Sequence, residues 1–267
     1  QELWAFIPPD LLPKLGMMIN GHEYFVDGTP MVRDIWADGD GSQPGVKEAE
    51  EFHTLAIIAE RSGGQRFLAL DVTDPLEMLK PDGKPFRWMF PNACDPEAAT
   101  MGQSWANFAP KPPPIGPVRI AASNARGWDE RWVTLLNGGY SADLSRGRGV
   151  YMVDAWTGQK LWAAEAKRGT SATGQDYKDE VLHRMMPVVA APALVDLGKA
   201  ADIRMDMDGF FDTLVVGDLG GQVWTFRFHT PGTPGNGGLM SNWYGARSLE
   251  IAREDVSGFD APRSAWK

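Results

Sequence analysis

The residues best suited to chemistry form a short acidic run, Asp206-Met207-Asp208-Gly209-Phe210-Phe211-Asp212. Carboxylates alternate along the run, Gly209 stands at the bend, and Asp212 follows three residues later. Calcium takes several hard oxygen ligands, and a glycine permits the sharp turn that directs them inward. The pattern therefore predicts a calcium loop built on Asp206, Asp208 and Asp212. The alternative is an ordinary Asp/Gly turn between two strands, which binds nothing.

Other reactive residue types do not fall into catalytic patterns. A second acidic run, Asp34 to Gly41, lies in a polar stretch, and we interpret it as a solvated loop. The four histidines lack the short spacing of a metal pair, and Cys94 has no nearby histidine in the sequence. Nucleophile-elbow and phosphate-loop motifs are absent. We therefore expect a protein that is not an enzyme.

Composition narrows the classes of partner. The formal net charge is −9, which argues against a nucleic-acid backbone as partner and suits a cation site. A single cysteine rules out a disulfide within the chain. No apolar run approaches the ~20 residues of a transmembrane helix, so we expect no membrane-spanning segment in this chain.

An internal repeat organises the elements that must position these residues. Each unit contains short β-branched and aromatic runs separated by glycine or aspartate turns, which is typical of antiparallel strands. The units comprise residues 30–34, 54–58 and 63–71; residues 132–136 and 148–154; and residues 192–196, 213–218 and 220–226.

Repeated sheets of this kind predict an all-β fold, a β-propeller with quinoprotein-like blades, because a single blade cannot bury both of its faces. Closed propellers typically have about four to eight blades, and this chain contains three clear repeats. We therefore interpret residues 1–267 as a single, partial propeller domain of a larger chain.

The rest of the chain decorates these blades. We expect insertions at about 39–51, 80–117 and 230–242, and one short helix from Asp10 to Ile19 with Leu11, Leu12, Leu15 and Met18 on one face. Residues 1–7 are expected to form a strand that pairs with another segment to close the ring. The shared patterns around Trp4 and Trp224 predict equivalent positions for these two side chains in related blades.

Four motifs in chain order resemble the C-terminal propeller of the PilY family. They are Glu2-Leu3-Trp4-Ala5-Phe6-Ile7-Pro8 with Leu11-Leu12, His22-Glu23-Tyr24-Phe25-Val26-Asp27-Gly28-Thr29-Pro30, Ala69-Leu70-Asp71-Val72-Thr73-Asp74-Pro75, and Gly217-Asp218-Leu219-Gly220-Gly221-Gln222-Val223-Trp224. The resemblance implies a role in type IV pili: assembly, extension against retraction, twitching motility and surface adhesion. It also implies a place outside a Gram-negative cell, at the pilus tip or the outer membrane. The expected partners are minor pilins of the tip complex and a host or abiotic surface.

The resemblance also extends the predicted metal site. In that family an Asp-x-Asp-x-Asp-Gly-x-x-Asp loop binds calcium and controls pilus extension, and Asp206, Asp208 and Asp212 match it here. The first position of that loop falls on Arg204, which cannot ligate a cation. The residues expected to complete the set are the Phe210 carbonyl and Asp196, with Asp202 as a substitute.

Two alternative functions use similar propellers. One is a quinone-dependent dehydrogenase, whose adjacent cysteine pair this chain lacks. The other is a scaffold propeller of outer-membrane assembly, which carries no metal. Calcium-dependent stabilisation would favour the pilus function over the scaffold.

Overall fold

The structure is a computed structural model that describes residues 2–39, 45–105, 113–125, 128–166, 182, 184–197, 207–228 and 244–250. Within these ranges it contains three four-stranded antiparallel sheets, each of them a propeller blade. The prediction of an all-β propeller fold is confirmed. No described helix is long and apolar enough to cross a membrane.

The strands of each blade follow one another in sequence and pair with their chain neighbours. Blade 1 contains β1 (Met31–Trp36), β2 (Phe52–Ala59), β3 (Phe67–Asp71) and β4 (Phe86–Phe90). Blade 2 contains β5 (Ile115–Ala121), β6 (Trp128–Asn137), β7 (Gly149–Asp154) and β8 (Lys160–Glu165). Blade 3 contains β9 (Ala193–Val195), β10 (Thr213–Gly217), β11 (Gln222–Arg227) and β12 (Tyr244–Glu250).

The strands predicted from the repeat are all present, but each blade has strands that the repeat missed. The range 80–117, predicted as an insertion, contains β4 and the start of β5. Its many prolines concealed both strands, although Pro117 is compatible with β5 because β5 is an edge strand of its sheet. Residues 49–51 form a short 3₁₀ turn, whereas residues 40–44 and 230–242 lie outside the described residues.

Blade 2 is buried on both faces because its neighbours cover it. Along β7, Tyr151 and Val153 pack into the cluster shared with blade 1, whereas Val150 and Met152 pack into the cluster shared with blade 3. Side chains alternate between the faces of a strand, so a strand between two blades must be apolar throughout. The continuous apolar character of β7 follows from this position.

A tight turn of blade 2 fastens it to blade 1. The Ala155 carbonyl accepts a hydrogen bond from Trp88 Nε1 at 2.8 Å. The Trp156 ring lies between His53, with ring centroids 3.9 Å apart, and the Arg87 guanidinium, 3.4 Å from the Trp156 centroid. These contacts support the interpretation that the tryptophans of the repeat serve packing between blades.

The N-terminal segment lies on blade 1 without joining a sheet. Residues 2–8 form no strand, so the prediction of a strand that closes the ring from this segment is wrong for the described residues. Trp4 Nε1 instead donates to the Pro75 carbonyl at 2.8 Å, and the Phe6 ring stacks on Phe86 with centroids 5.5 Å apart. Trp4 and Trp224 are not equivalent. Trp224 is a fully buried residue of β11, whereas Trp4 lies outside any strand.

The predicted helix is present as a 3₁₀ helix from Pro9 to Ile19. Leu11 is its buried apolar residue, whereas Leu12 and Met18 are about half exposed, at 50% and 58%. The expected apolar face is therefore largely in solvent. The α-helix α1 (Glu97–Thr100), which the sequence did not reveal, lies within the predicted insertion at 80–117.

Gly158 offers a test of the contact between blades 1 and 2. Its φ is +75°, and a Cβ there would lie 2.5 Å from the Trp88 Cβ. We expect Gly158→Ala to lower the free energy of unfolding by about 2–4 kcal/mol, because it adds backbone strain to a clash with the other blade. Urea denaturation measures the change. Gly217→Ala is the control, since its Cβ would meet only Gln222 O at 3.9 Å. Equal losses in the two variants would contradict this account.

Candidate functional site

The described part of the predicted calcium loop, Met207 to Asp212, belongs to blade 3 and contacts blade 2. It leads into β10 of blade 3 and lies against β5 of blade 2, where Phe211 N donates to the Pro117 carbonyl at 2.9 Å. Gly116 makes this approach feasible, because a Cβ there would lie 2.0 Å from Phe211 Cε2. The loop therefore occupies the seam between blades 2 and 3.

An arginine from blade 2 is held under the loop by two aromatic rings. The Arg119 guanidinium lies 4.6 Å from the ring centroid of Trp128 and 4.6 Å from that of Phe210. The two rings meet edge to face, with centroids 5.2 Å apart. Both faces of aromatic rings attract cations, so the rings fix Arg119 at the loop.

Asp208 uses both carboxylate oxygens within this arrangement. Its Oδ2 pairs with Arg119 Nη2 at 2.7 Å, and its Oδ1 accepts a hydrogen bond from Phe210 N at 3.0 Å. The side chains of Arg119 and Asp208 are 25% and 31% exposed. Part of the negative charge predicted to attract calcium is thus balanced by a side chain of the neighbouring blade.

Asp212 is buried and joins the loop to the blade beneath it. Its Oδ1 accepts hydrogen bonds from Leu197 N at 3.2 Å and Thr213 Oγ1 at 2.5 Å, and its Oδ2 pairs with Arg227 Nη2 at 3.2 Å. Asp196 approaches from the end of β9, and its Oδ2 accepts a hydrogen bond from Gly209 N at 2.9 Å. Asp196, Asp208 and Asp212 therefore all contribute to the ordered loop.

These contacts permit a direct test of fit for calcium. No group of three or more metal-ligating side chains forms within the ranges that the structure describes. Asp206 and Asp202 lie outside those ranges, so the predicted ligand set is only partly visible. The donor chemistry suits calcium, since Asp196, Asp208 and Asp212 offer carboxylates and Phe210 a carbonyl. A calcium ion that binds Asp208 would have to displace Arg119 from this carboxylate or share the carboxylate with it.

Two arginines that sequence reasoning missed balance the charges of this loop. Arg119 is 89 positions before Asp208 and Arg227 is 15 positions after Asp212, so no local motif links these residues. The blade topology brings them together: Arg119 lies on β5, and Arg227 pairs opposite Thr213 in the ladder between β10 and β11. A register assigned to the repeat would have revealed Arg227, but not Arg119.

Acidic residues at the blade turns differ from those of the loop. Asp218 Oδ2 accepts hydrogen bonds from Met186 N, Gln222 Nε2 and Trp224 Nε1 at 2.8–2.9 Å. Asp154 Oδ1 similarly accepts from the amides of Trp156 and Thr157 at 2.9 and 2.8 Å. These carboxylates serve as fixed turn anchors.

Asp71 anchors the corresponding turn of blade 1. Burial would raise the pKa of Asp71, but hydrogen bonds from His53 and Thr73 outweigh that effect and lower the pKa to about 2. This carboxylate therefore remains ionised at neutral pH.

In the second acidic run Asp34 belongs to β1 and accepts a hydrogen bond from Thr54 Oγ1 at 2.6 Å.

Gly116 and Phe211 provide a test of the seam. We expect Gly116→Ala to lower the free energy of unfolding by about 1–3 kcal/mol, because the new methyl group must displace the Phe211 ring. Phe211→Leu should be less harmful in the Gly116→Ala background than in the wild type. A double-mutant cycle in urea measures this coupling. Additive losses would show that Phe211 does not fill the space over Gly116.

Comparison with known proteins places this geometry in a wider context. No family model matches the chain. The chain is 26% identical to the type IV pilus biogenesis factor PilY1 homolog of Xylella fastidiosa over 231 residues, covering 85% of this chain and 13% of that protein. It is also 26% identical to the type IV pilus biogenesis factor PilY1 of Pseudomonas aeruginosa strain UCBPP-PA14, covering 84% of this chain and 15% of that protein. The chain thus spans about one seventh of these relatives' length.

A solved structure supports the same fold. The crystal structure of the Pseudomonas aeruginosa PilY1 C-terminal domain matches 91% of this chain and 39% of its own, with a TM-score of 0.54 at 23% identity. The likeness confirms the propeller fold. The sequence matches, in turn, confirm the resemblance found in the four motifs, because these curated relatives are PilY1 type IV pilus biogenesis factors.

Proposed function

We propose that this chain is a non-enzymatic propeller domain of a protein that supports type IV pilus biogenesis. The observation that carries the proposal is the sequence match to PilY1 biogenesis factors over 84–85% of the chain. Those relatives are named as biogenesis factors, and none of those names is that of an enzyme. A pilus-associated place at the surface of a Gram-negative cell is consistent with these names.

The finer part of the proposal concerns how the domain acts. We place it at the pilus tip or the outer membrane, where it would contact minor pilins and favour extension over retraction. Surface adhesion and twitching motility would depend on the same protein. The packing of three blades through shared apolar clusters provides a rigid body suited to such a contact.

Calcium modulation is a further part of the proposal and rests on the loop. Calcium would supply a divalent charge that draws carboxylates together and orders the turn around them. Asp206, Asp208 and Asp212 would hold it with the Phe210 carbonyl and Asp196, or Asp202 in its place. Arg119 would then act as a competitor, because its guanidinium already pairs with Asp208 at 2.7 Å.

This competition gives a sharp test. Arg119→Gln removes the cation that neutralises Asp208, so calcium should bind about 1.4- to fivefold more tightly, since an ion pair near the surface is worth ~0.2–1 kcal/mol. Asp208→Ala should remove most of the calcium effect. The measurements are calorimetric titration with calcium and melting curves with calcium or chelator, because binding to the folded state raises the melting temperature.

Arg131→Gln is the matched control, because Arg131 pairs with Asp154 at 3.0 Å within blade 2 and not with the loop. It should leave calcium affinity unchanged. Identical melting curves with calcium and with chelator, for protein first freed of metal, would contradict the calcium proposal. The pilus proposal would survive that result, since it rests on the sequence match.

The pilus proposal has its own experiment in the bacterium that encodes this chain. Loss of the gene should reduce surface pili, measured by electron microscopy and by the pilin recovered after shearing. Restoring the gene should restore the pili, and an Asp208→Ala copy should restore them with altered dependence on calcium. Unchanged piliation after gene loss, with no second copy of the gene, would overturn the proposal.

A further inference from the structure

Two acidic side chains from different elements meet beneath the N-terminal 3₁₀ helix. Asp10 lies in the helix, and Glu60 follows β2 and is fully buried. Arg66 contacts both: its backbone N donates to Glu60 Oε2 at 3.0 Å, and its Nε pairs with Asp10 Oδ2 at 3.0 Å. The remaining oxygens, Asp10 Oδ1 and Glu60 Oε1, are buried without a hydrogen-bond donor among the described residues.

One guanidinium is too little positive charge for two carboxylates in this position. Burial raises the pKa of Glu60 to about 8, and the charge of Asp10 together with the hydrogen bond that a proton would make to Asp10 adds to the increase, against the opposing effect of Arg66. Glu60 is fully buried, and its Oε2 lies so close to Gly64 that a Cβ on that residue would come within 1.9 Å of it. A proton between the two carboxyls resolves the repulsion and provides the missing donor.

The other charged groups around the pair are engaged elsewhere. On the helix, Lys14 Nζ donates to the carbonyls of Tyr24 and Gly63 at 3.1 and 2.9 Å. Arg61 lies 4.9 Å from the Trp105 ring centroid and 4.0 Å from Asp27, which in turn accepts a hydrogen bond from Ser62 Oγ. Arg66 is therefore the cation that the described contacts place on the pair.

The helix depends on these polar contacts because its apolar contribution is small. Leu11 is buried at 2%, but Leu12, Met17, Met18 and Ile19 are between 47% and 88% exposed. We propose that a proton shared by Asp10 and Glu60 latches the N-terminal 3₁₀ helix onto blade 1, and that loss of this proton releases the helix. Release would expose Glu60, which is fully buried while the helix is docked.

The direction of the pH effect follows from linkage. Glu60 binds its proton more tightly with the helix docked than when it is exposed, so docking is fully stabilised below pH 4.5 and loses that contribution as pH rises through about 8. The latch is therefore closed in mildly acidic surroundings and opens in alkaline ones.

Hydrogen exchange of the full-length protein tests the latch through peptides that cover residues 9–19. Protection factors, corrected for the intrinsic pH dependence of exchange, should fall by up to about tenfold per pH unit between pH 6 and 8. Glu60→Gln should abolish this dependence, because its amide donates to Asp10 while its oxygen still accepts from Arg66 N. Asp10→Asn should do the same from the helix side, and it provides the test if Glu60→Gln does not fold.

Glu97→Gln is the matched control, since Glu97 is also buried, at 3% exposure, but pairs with Lys160 of blade 2. It should retain the wild-type pH dependence. Wild-type protection that does not change with pH would overturn the proposal, as would the same dependence in Glu60→Gln and Asp10→Asn. Protection restored at pH 9 by calcium alone would also overturn it, because the pair would then hold a cation and not a proton.

Discussion

The structure depends on one constraint: a four-stranded blade has two apolar faces, and a neighbour must cover each of them. Blade 2 meets this constraint completely, with Tyr151 and Val153 directed to blade 1 and Val150 and Met152 to blade 3. Burial of apolar area provides most of the free energy of such packing. Register is then fixed, because a slip of one residue along β7 would exchange the two sets of partners.

Polar chemistry is consequently concentrated where blades meet or end. The Asp154 turn inserts Trp156 between His53 and Arg87 of blade 1, and the loop before β10 places Phe210 on Arg119 of blade 2. In both seams an arginine stacks on an aromatic ring. Cation–π contacts tolerate partial exposure, so they suit positions at the margin of an apolar interface.

Sequence reasoning succeeded where the physical signal is local. The runs around Thr213 and Gln222 have the composition and turn residues of strands, and β10 and β11 lie there. It failed for β5, because Gly116 and Pro117 indicate a loop when read alone. It also failed for residues 1–7, whose apolar and aromatic run was interpreted as a strand, although the described residues 2–8 form none. In each case tertiary contacts determine the local structure. β5 pairs with β6 along its length, whereas Trp4 and Phe6 contact blade 1 through their side chains.

The candidate loop illustrates a second limit. Its carboxylates were apparent from sequence, and Asp208 and Asp212 do occupy one ordered turn. The arginines that balance these negative charges were not apparent from sequence, because Arg119 comes from another blade and Arg227 from the next strand. A motif specifies which atoms are offered to a ligand, but the fold decides which of them are already in use.

The close approach of Gly158 to Trp88 has a consequence for how this domain can evolve. The two positions lie in different blades and 70 residues apart, yet the space that one lacks is filled by the other. Loss of the indole at position 88 would not make a larger residue acceptable at position 158, because the Cβ at position 88 would still lie 2.5 Å from the new Cβ and the φ of +75° would remain. In homologues that keep this turn, position 158 should therefore stay glycine whatever side chain stands opposite it. A retained glycine would mark the contact between neighbouring blades in sequences whose repeats have diverged beyond recognition.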